Sequence, residues 1–427
     1  MARAEHYDVV VIGRDLAGLL CAALLARRKY RVRVLRPLGF DGARSDVPLF
    51  GLDSAPAVRR VLEDLGLVHA IRTRLDGRPR AVTVALPDRR FSLEPEIGPR
   101  GLELGAAFPD DGAALWALFE RIEGYAAPLD TLLDGTTDLP ASGFGARRAL
   151  RRALGAQPAR QLLETPTPWT DAEPLRALIA ALLALAGRPE RADGPMTLGG
   201  VRAIWHLCHG IAPVQGGAAG LAMLVREKLA TYGGVVADRP VAVALDAGRR
   251  RVDAVLTDDG ARFGAHAVVF ADGAAALRRV WPAAPSDAGP TAPGGRLRVS
   301  LDAADRSPGL QDPCAWLATP GGPAARVRVD GQGLAVTWWG DGAPPPLDDL
   351  VPLARLDVAA PTPHAWPTPD RSLDPLGLFR DPARGGPRNL VFAGPDRLPG
   401  LGLEGECLTA LLAADAAARF CPRRRGV

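Results

Sequence analysis

The sequence predicts an α/β protein of two domains, and three observations support this prediction. Its 427 residues are more than one compact unit usually needs. Hydrophobic residues make up 47% and charged residues 23% of the chain, which is typical of a folded globular protein. Strand and helix patterns alternate from the N-terminus, and a second series of strand patterns follows in the later half.

The N-terminal segment has the clearest pattern. "YDVVVIG" predicts a buried strand, "LAGLLCAALLARR" has the apolar spacing of a helix, and "YRVRVLRP" predicts a second strand. Residues 7–36 therefore form one predicted βαβ unit. The turn inside it resembles the G-x-G-x-x-G fingerprint, so the first domain is predicted to be a Rossmann-like FAD/NAD(P)-binding domain.

Further elements are predicted along the rest of the chain. They are a helix over 56–67, a hairpin over 80–93, helices within 108–185, a helix between the Gly-Gly pairs at 216–217 and 233–234, strands within 240–272, a hairpin around Asp330 and Gly331, a strand over 388–394, a loop over 395–406, and a final helix from Cys407 to Arg419.

Composition excludes several classes of protein. A net charge of +4, from 52 basic and 48 acidic residues, is too even for a nucleic-acid-binding protein. Five scattered cysteines without metal-ligand spacing favour a reducing compartment, and neither a secretory signal nor a metal site is predicted. The apolar run "LIAALLALAG" at 178–187 is too short to span a membrane and predicts a buried helix.

The predicted location is the cytoplasm. Peripheral contact with the inner face of the membrane stays an alternative, because a basic helix predicted at 146–154 carries four arginines that either meet anionic lipid or face solvent.

Several segments together resemble the phytoene desaturase and amine oxidase branch of the two-domain flavoproteins. The βαβ unit opens the chain, "GAR" at 42–44 stands where that family has Gly-Gly-Arg, and "APVQGGAAGLAMLVREKLATYGGVV" is similar to its middle nucleotide-domain segment. "NLVFAGPDRLPGLGLEGECLTALLAADAAAR" is similar to its closing motif.

The resemblance implies an FAD/NAD(P)-binding domain with an inserted α+β substrate domain. The first domain would comprise 1–72, 195–280 and 385–427, and the substrate domain 73–194 and 281–384. It also implies FAD as cofactor and an apolar small-molecule substrate, from which hydride passes to the flavin.

The fingerprint itself departs from the family pattern. Gly13 and Gly18 stand at its first and third glycine positions, but Asp15 replaces the second glycine, across which a diphosphate approaches the backbone. Asp15 either caps the following helix or lies beside a phosphate, where Arg14 would neutralise it.

Other predicted cofactor contacts differ as well. Arg36 stands where an acid would bind the adenosine ribose, which suits either an NADP-type 2′-phosphate or a plain surface position. Pro395 replaces the aspartate of the closing Gly-Asp pair, whose glycine is Gly394. The remaining residues that the resemblance assigns to the cofactor are Arg44, Val241, Pro399, Gly400, Gly402 and Gly405.

The segment "WHLCH" at 205–209 is the other notable cluster. His206 and His209 lie three residues apart on a predicted helix beside Cys208. Packing is the favoured interpretation, with a place in the substrate cleft as the alternative. The adjacent Trp338 and Trp339 should point to opposite faces of a strand, so that one of them could line an apolar pocket.

Three functions follow from these residues. The first is an FAD-dependent oxidoreductase of the phytoene desaturase type that acts on an apolar, isoprenoid or lipid, substrate. The second is a non-catalytic relative that has lost FAD and serves as a binding or scaffold protein. The third is an NADP-type reductase that uses Arg36. Catalytic residues are not predicted by the sequence.

Overall fold

The computed structural model describes residues 5–39, 49–135, 139, 148, 170–188, 197–248, 250–284, 291–301, 314–317, 324–330, 333–339, 344, 346, 356–358, 362–367, 386–394, 397–398 and 400–422. Its helices there are α1 (Leu16–Arg27), α2 (Pro56–Asp64), α3 (Val68–Arg72), α4 (Ile97–Ala107), α5 (Gly112–Ala126), α6 (Glu173–Ala186), α7 (Leu198–Leu207), α8 (Gly217–Thr231), α9 (Ala274–Val280) and α10 (Gly402–Ala418), with a 3₁₀ helix at Ala127–Thr131.

The strands of the described residues form two sheets. They are β1 (Glu5–Ile12), β2 (Val32–Pro37), β3 (Val82–Ala85), β4 (Arg90–Leu93), β5 (Val235–Ala247), β6 (Val252–Thr257), β7 (Arg262–Phe270), β8 (Thr291–Leu301), β9 (Cys314–Leu317), β10 (Ala324–Asp330), β11 (Gly333–Trp339), β12 (Leu356–Val358), β13 (Thr362–Pro367) and β14 (Leu390–Phe392).

The first sheet has the parallel core of a dinucleotide-binding fold. Its parallel strands lie in the order β5-β2-β1-β7-β14, with Val9 opposite Val32 on one side and Ala267 on the other. Strand β6 is antiparallel to both β5 and β7. Because β1 is flanked on both sides, its residues from Val9 to Ile12 are fully buried, which explains the continuous apolar run in the sequence.

Helix α1 lies in the centre of the main core. It packs against α8 and α10, and every residue from Leu16 to Ala26 is buried. Such a helix is apolar on all sides because no face of it meets solvent. The carboxyl end of β1 and the N-terminus of α1 are thereby fixed with respect to α10.

The second sheet is mostly antiparallel. Its strands lie in the order β12-β8-β11-β10-β9-β3-β4, β13 also pairs with β8, and β3 runs parallel to β9. In sequence these strands lie on either side of β5–β7, which belong to the first sheet. The assignment of this part as a substrate domain, and the predicted domain boundaries, stay predictions.

Several local predictions are confirmed. The βαβ unit, the hairpin β3–β4 and the hairpin β10–β11 form as predicted, and the run at 178–187 belongs to the buried helix α6. Trp338 and Trp339 are both buried in separate hydrophobic clusters. The basic helix predicted at 146–154 lies outside the described residues except for Arg148. None of the described helices is long and apolar enough to cross a membrane.

The structure differs from the sequence prediction at two helices. Helix α4 has no matching prediction, because its three glycines and a proline give it a weak helical pattern. The final helix begins at Gly402 and not at Cys407, so that "GLEGE" at 402–406 forms the first residues of α10 and not a loop. This shift places the buried Glu404 and Glu406 at the start of α10.

Candidate functional site

The predicted cofactor residues that the structure describes lie at the carboxyl edge of the parallel sheet or at the start of α10. Gly13 follows β1, and Gly394 follows β14. Arg36, near the end of β2, is exposed and lies opposite Val241 of β5 in the sheet register. Ligands of open α/β sheets bind at this edge. Arg44, Pro395 and Pro399 lie outside the described residues.

Asp15 is the N-cap of α1. Its Oδ1 accepts a hydrogen bond of 2.9 Å from the backbone N–H of Gly18, and its backbone is extended, as an N-cap requires. The capping alternative is therefore the one seen in the structure. Arg14 donates to the carbonyl oxygen of Ala237 in β5.

Glu406 supplies a second carboxylate to the same helix end. Its Oε2 accepts a hydrogen bond of 2.8 Å from the backbone N–H of Ala17, although the two residues are 389 positions apart. The first N–H groups of a helix have no partner within the helix, and they are the groups that bind a diphosphate in this fold. In this chain, carboxylates of Asp15 and Glu406 occupy two of them.

The two fingerprint glycines are required by packing. A Cβ on Gly13, whose φ is +134°, would lie 2.5 Å from the carbonyl oxygen of Ala271 at the end of β7. A Cβ on Gly18 would lie 2.7 Å from the Cβ of Ala271. Both glycines thus let the turn and α1 approach β7 closely, so their retention follows from the fold and needs no ligand.

The change Gly18→Ala tests this packing role. We expect it to lower the free energy of unfolding by about 1–3 kcal/mol, because the added methyl group overpacks against Ala271. Gly105→Ala in α4 is the matched control, since a Cβ there meets nothing within 4 Å. The control should instead raise the free energy of unfolding by about 0.5–1 kcal/mol, because alanine has a higher helix propensity than glycine. Urea denaturation measures both, and equal effects would contradict the packing explanation.

The glycines of the closing segment also contact protein. A Cβ on Gly400 would lie 1.9 Å from Cγ of the buried Arg188, and one on Gly402 would lie 2.5 Å from the ring of the buried Phe50. A Cβ on Gly394 would lie 2.2 Å from the carbonyl oxygen of Asp272. A Cβ on Gly405 would lie 2.9 Å from the carbonyl oxygen of Leu398. Protein groups therefore lie directly against the backbone path that the resemblance assigns to a flavin.

The two carboxylates at the start of α1 do not fit a conventionally bound FAD. The N-terminus of a helix normally attracts a diphosphate, but here the diphosphate would lie beside Asp15 and Glu406. At about 4 Å and an effective dielectric constant near 20, each pair of like charges costs about 4 kcal/mol. A single such cost corresponds to roughly a thousandfold loss of affinity.

A buried charged cluster lies next to this region. Arg202 of α7 binds Glu404 through two hydrogen bonds, Nε to Oε2 at 2.9 Å and Nη2 to Oε1 at 2.7 Å, and all three of Arg202, Glu404 and His206 are fully buried. Arg202 also donates to the carbonyl oxygen of Ala126 and pairs with Asp130. The guanidinium is thus held on several sides, as a buried charge requires.

His206 extends the cluster toward a cavity. Its Nε2 lies 2.8 Å from Oε2 of Glu404, and its Nδ1 lies 2.7 Å from Oγ of the half-buried Ser54. Ser54 lines a cavity of about 640 Å³ together with Trp205 and His209. The "WHLCH" segment is therefore divided: His206 is packed in the core, whereas His209 faces the cavity.

The charge states of this cluster follow from its surroundings. Burial raises the pKa of Glu404, but Arg202 and His206 outweigh that effect and lower the pKa to about 2. Burial lowers the pKa of His206, and the nearby Glu404 offsets this only in part. At neutral pH, Glu404 is therefore ionised and His206 is neutral.

Sequence reasoning missed Ser54, Glu404 and Glu406. Ser54 lies in an ordinary turn, and the two acids lie in a glycine-rich segment whose sequence predicts a loop. Arg202 and Glu404 in this cluster are 202 positions apart in the chain, which no local spacing could reveal.

Among known proteins, only solved structures resemble this chain, and they do so in fold. No protein-family model and no curated protein sequence matches the chain. Among solved structures, an oxidoreductase from Methanosarcina mazei is 15% identical, with 96% of this chain and 99% of that chain covered and a TM-score of 0.52. A geranylgeranyl bacteriochlorophyll reductase-like protein from Thermoplasma acidophilum is 10% identical, with 98% and 79% covered and a TM-score of 0.52.

These likenesses confirm the predicted α/β fold with a Rossmann-like domain. At such low identity, however, a shared fold does not transfer the chemistry, which depends on the residues of the site.

Proposed function

We propose that this chain keeps the fold of a two-domain flavin oxidoreductase without its flavin-dependent reaction, and that it acts as a binding protein. The observation that carries this proposal is the pair of hydrogen bonds from Gly18 N–H to Asp15 and from Ala17 N–H to Glu406. With those donors in use, the helix end presents negative charge where the diphosphate of FAD would need positive potential.

The other contacts support the same conclusion. The retained glycines have close protein neighbours, so their presence does not require a cofactor. Arg36 stands where the fingerprint has an acid, so the chain lacks the carboxylate that would accept hydrogen bonds from an adenosine ribose at this position. The alternative is an FAD-dependent enzyme of the phytoene desaturase type with an apolar substrate, and the following experiment decides between the two. An apolar small-molecule ligand and peripheral contact with a membrane stay predictions.

The test is FAD binding by the purified protein, followed by its absorbance near 450 nm and by calorimetric titration. We expect colourless wild-type protein that takes up no FAD at micromolar concentrations. The double variant Asp15→Gly/Glu406→Ala removes both carboxylates and should bind FAD at least tenfold more tightly than the wild type. The tenfold gain is the smallest expected one, since removing one like-charge pair could restore affinity by up to roughly a thousandfold.

The matched control is Asp64→Asn/Asp415→Asn, which removes two carboxylates that pair with arginines at the surface. It should leave FAD binding unchanged. Circular dichroism checks that each variant is folded. Stoichiometric FAD in the wild type would overturn the proposal. A folded Asp15→Gly/Glu406→Ala variant with no gain over the control would show that the carboxylates are not what excludes the cofactor.

A further inference from the structure

A serine, a histidine and a glutamate form a continuous hydrogen-bonded chain that ends at a cavity. Ser54 lies in the turn before α2, His206 in α7, and Glu404 in the first turn of α10. The two links are 2.7 Å and 2.8 Å long, both within the range of a good hydrogen bond. Three distant segments of the chain thus bring together the groups that other folds use to activate a serine.

We propose that Ser54 is the nucleophile of an acyl-transfer site that hydrolyses carboxylic esters with an apolar acyl group. His206 is its general base, and Glu404 is a positioning residue that acts through His206. The proposal goes beyond the binding role proposed above and holds whether or not FAD binds.

The direction of each hydrogen bond suits this role. Because Glu404 is a carboxylate, it can only accept, so the Nε2–H of His206 donates to it. The Nδ1 of the neutral imidazole is then an acceptor and faces the hydroxyl group of Ser54. Two bonds from Arg202 hold the carboxylate in place. The ring is therefore fixed in the one tautomer that can take the proton of Ser54.

The placement of the three groups also suits catalysis. Glu404 and His206 are fully buried, whereas the half-buried Ser54 lines the cavity. A cavity of about 640 Å³ lies in the range of small-molecule sites. Trp205, Pro79 and Pro95 give its wall apolar surface for an acyl chain.

The reaction needs only the ester and water. Oγ of Ser54 attacks the carbonyl carbon of the ester while its proton passes to Nδ1 of His206. The bond to the alcohol oxygen breaks, and the alcohol leaves with that proton. A water molecule then gives a proton to His206 and attacks the acyl-serine, which releases the carboxylic acid as the proton returns to Ser54. Glu404 stabilises the imidazolium in both steps.

The test uses a fluorophosphonate probe and p-nitrophenyl esters of acetate and octanoate on the full chain. We expect intact mass and peptide mapping to show one phosphonyl group on Ser54, and faster hydrolysis of the octanoate. Ser54→Ala should lose both labelling and hydrolysis. The control is Ser92→Ala, since Ser92 is a half-buried serine in β4, and it should behave as the wild type.

Two further variants test the roles of the partners. His206→Gln should slow labelling by about 10²–10⁴-fold, the usual contribution of a general base. Glu404→Gln should lower kcat for the ester per active site, counted by fluorophosphonate labelling, with little change in KM. A loss of folded protein would lower the number of labelled sites and leave kcat per site unchanged. Thermal melting confirms that each variant is folded. Wild-type protein that is folded but unlabelled at Ser54, or a Ser54→Ala variant that hydrolyses the octanoate at the wild-type rate, would overturn the proposal.

Discussion

Glu404→Ala is expected to lower the free energy of unfolding by about 3–5 kcal/mol. Removing one partner of a buried ion pair leaves the other charge uncompensated, and such losses fall in this range. Here the charge left behind is the fully buried Arg202, whose remaining ion-pair partner is the partly exposed Asp130. The change also removes the acceptor of the His206 Nε2–H. Urea denaturation monitored by circular dichroism measures the effect.

Two controls accompany this prediction. Asp64→Asn breaks the partly exposed pair with Arg27 and should cost no more than about 1 kcal/mol. The double change Arg202→Met/Glu404→Leu removes both charges and should recover much of the loss, since apolar replacements of buried pairs are often neutral. A Glu404→Ala variant as stable as Asp64→Asn would mean that the buried pair does not form.

Lowering the pH should decrease the free energy of unfolding, because the Glu404 carboxylate becomes protonated. Its pKa is about 2 in the folded protein and 4.5 at its ordinary value, because Arg202 and His206 outweigh the effect of burial. A lowered pKa means that the unfolded chain takes up the proton first, so the contribution is complete above pH 4.5 and is lost as pH falls toward 2. At 1.36 kcal/mol per pH unit, the difference amounts to about 3 kcal/mol.

The measurement compares the pH dependence of unfolding in the wild type and in Glu404→Gln. The wild type should lose more stability than the variant between pH 5 and pH 2, since the amide that replaces the carboxyl group in the variant does not titrate. His206, whose pKa burial lowers, adds a loss in the same direction that begins near pH 6.5. Parallel curves for the two proteins below pH 4.5 would show that Glu404 has no lowered pKa.

The parts of the fold that the sequence predicts are those with strong local patterns. The strand β1, the buried helix α1 and the two hairpins follow from runs of apolar residues and from turn residues between them. Helix α4 and the start of α10 were missed because glycine lowers helix propensity, and tertiary packing overrides it there. In α10, Gly402 is needed for the close approach of Phe50.

The sequence predicts only those features of the candidate site that differ from the G-x-G-x-x-G fingerprint. Asp15 at the second glycine position indicates a changed phosphate site, and the cap seen in the structure is one of the two roles predicted for it. The partner carboxylate of Glu406 could not be found, because it reaches α1 from the far end of the chain. The same holds for Glu404, whose partners Arg202 and His206 lie in α7.

The central claim is that Asp15 and Glu406 occupy the N–H groups that would bind the diphosphate of FAD. Its most direct test is a crystal structure from crystals grown with millimolar FAD. We expect Glu406 Oε2 to lie near 2.8 Å from the backbone nitrogen of Ala17 and Asp15 Oδ1 near 2.9 Å from that of Gly18, with no diphosphate on either N–H. A diphosphate bound to those two N–H groups, with both carboxylates turned away, would contradict the account.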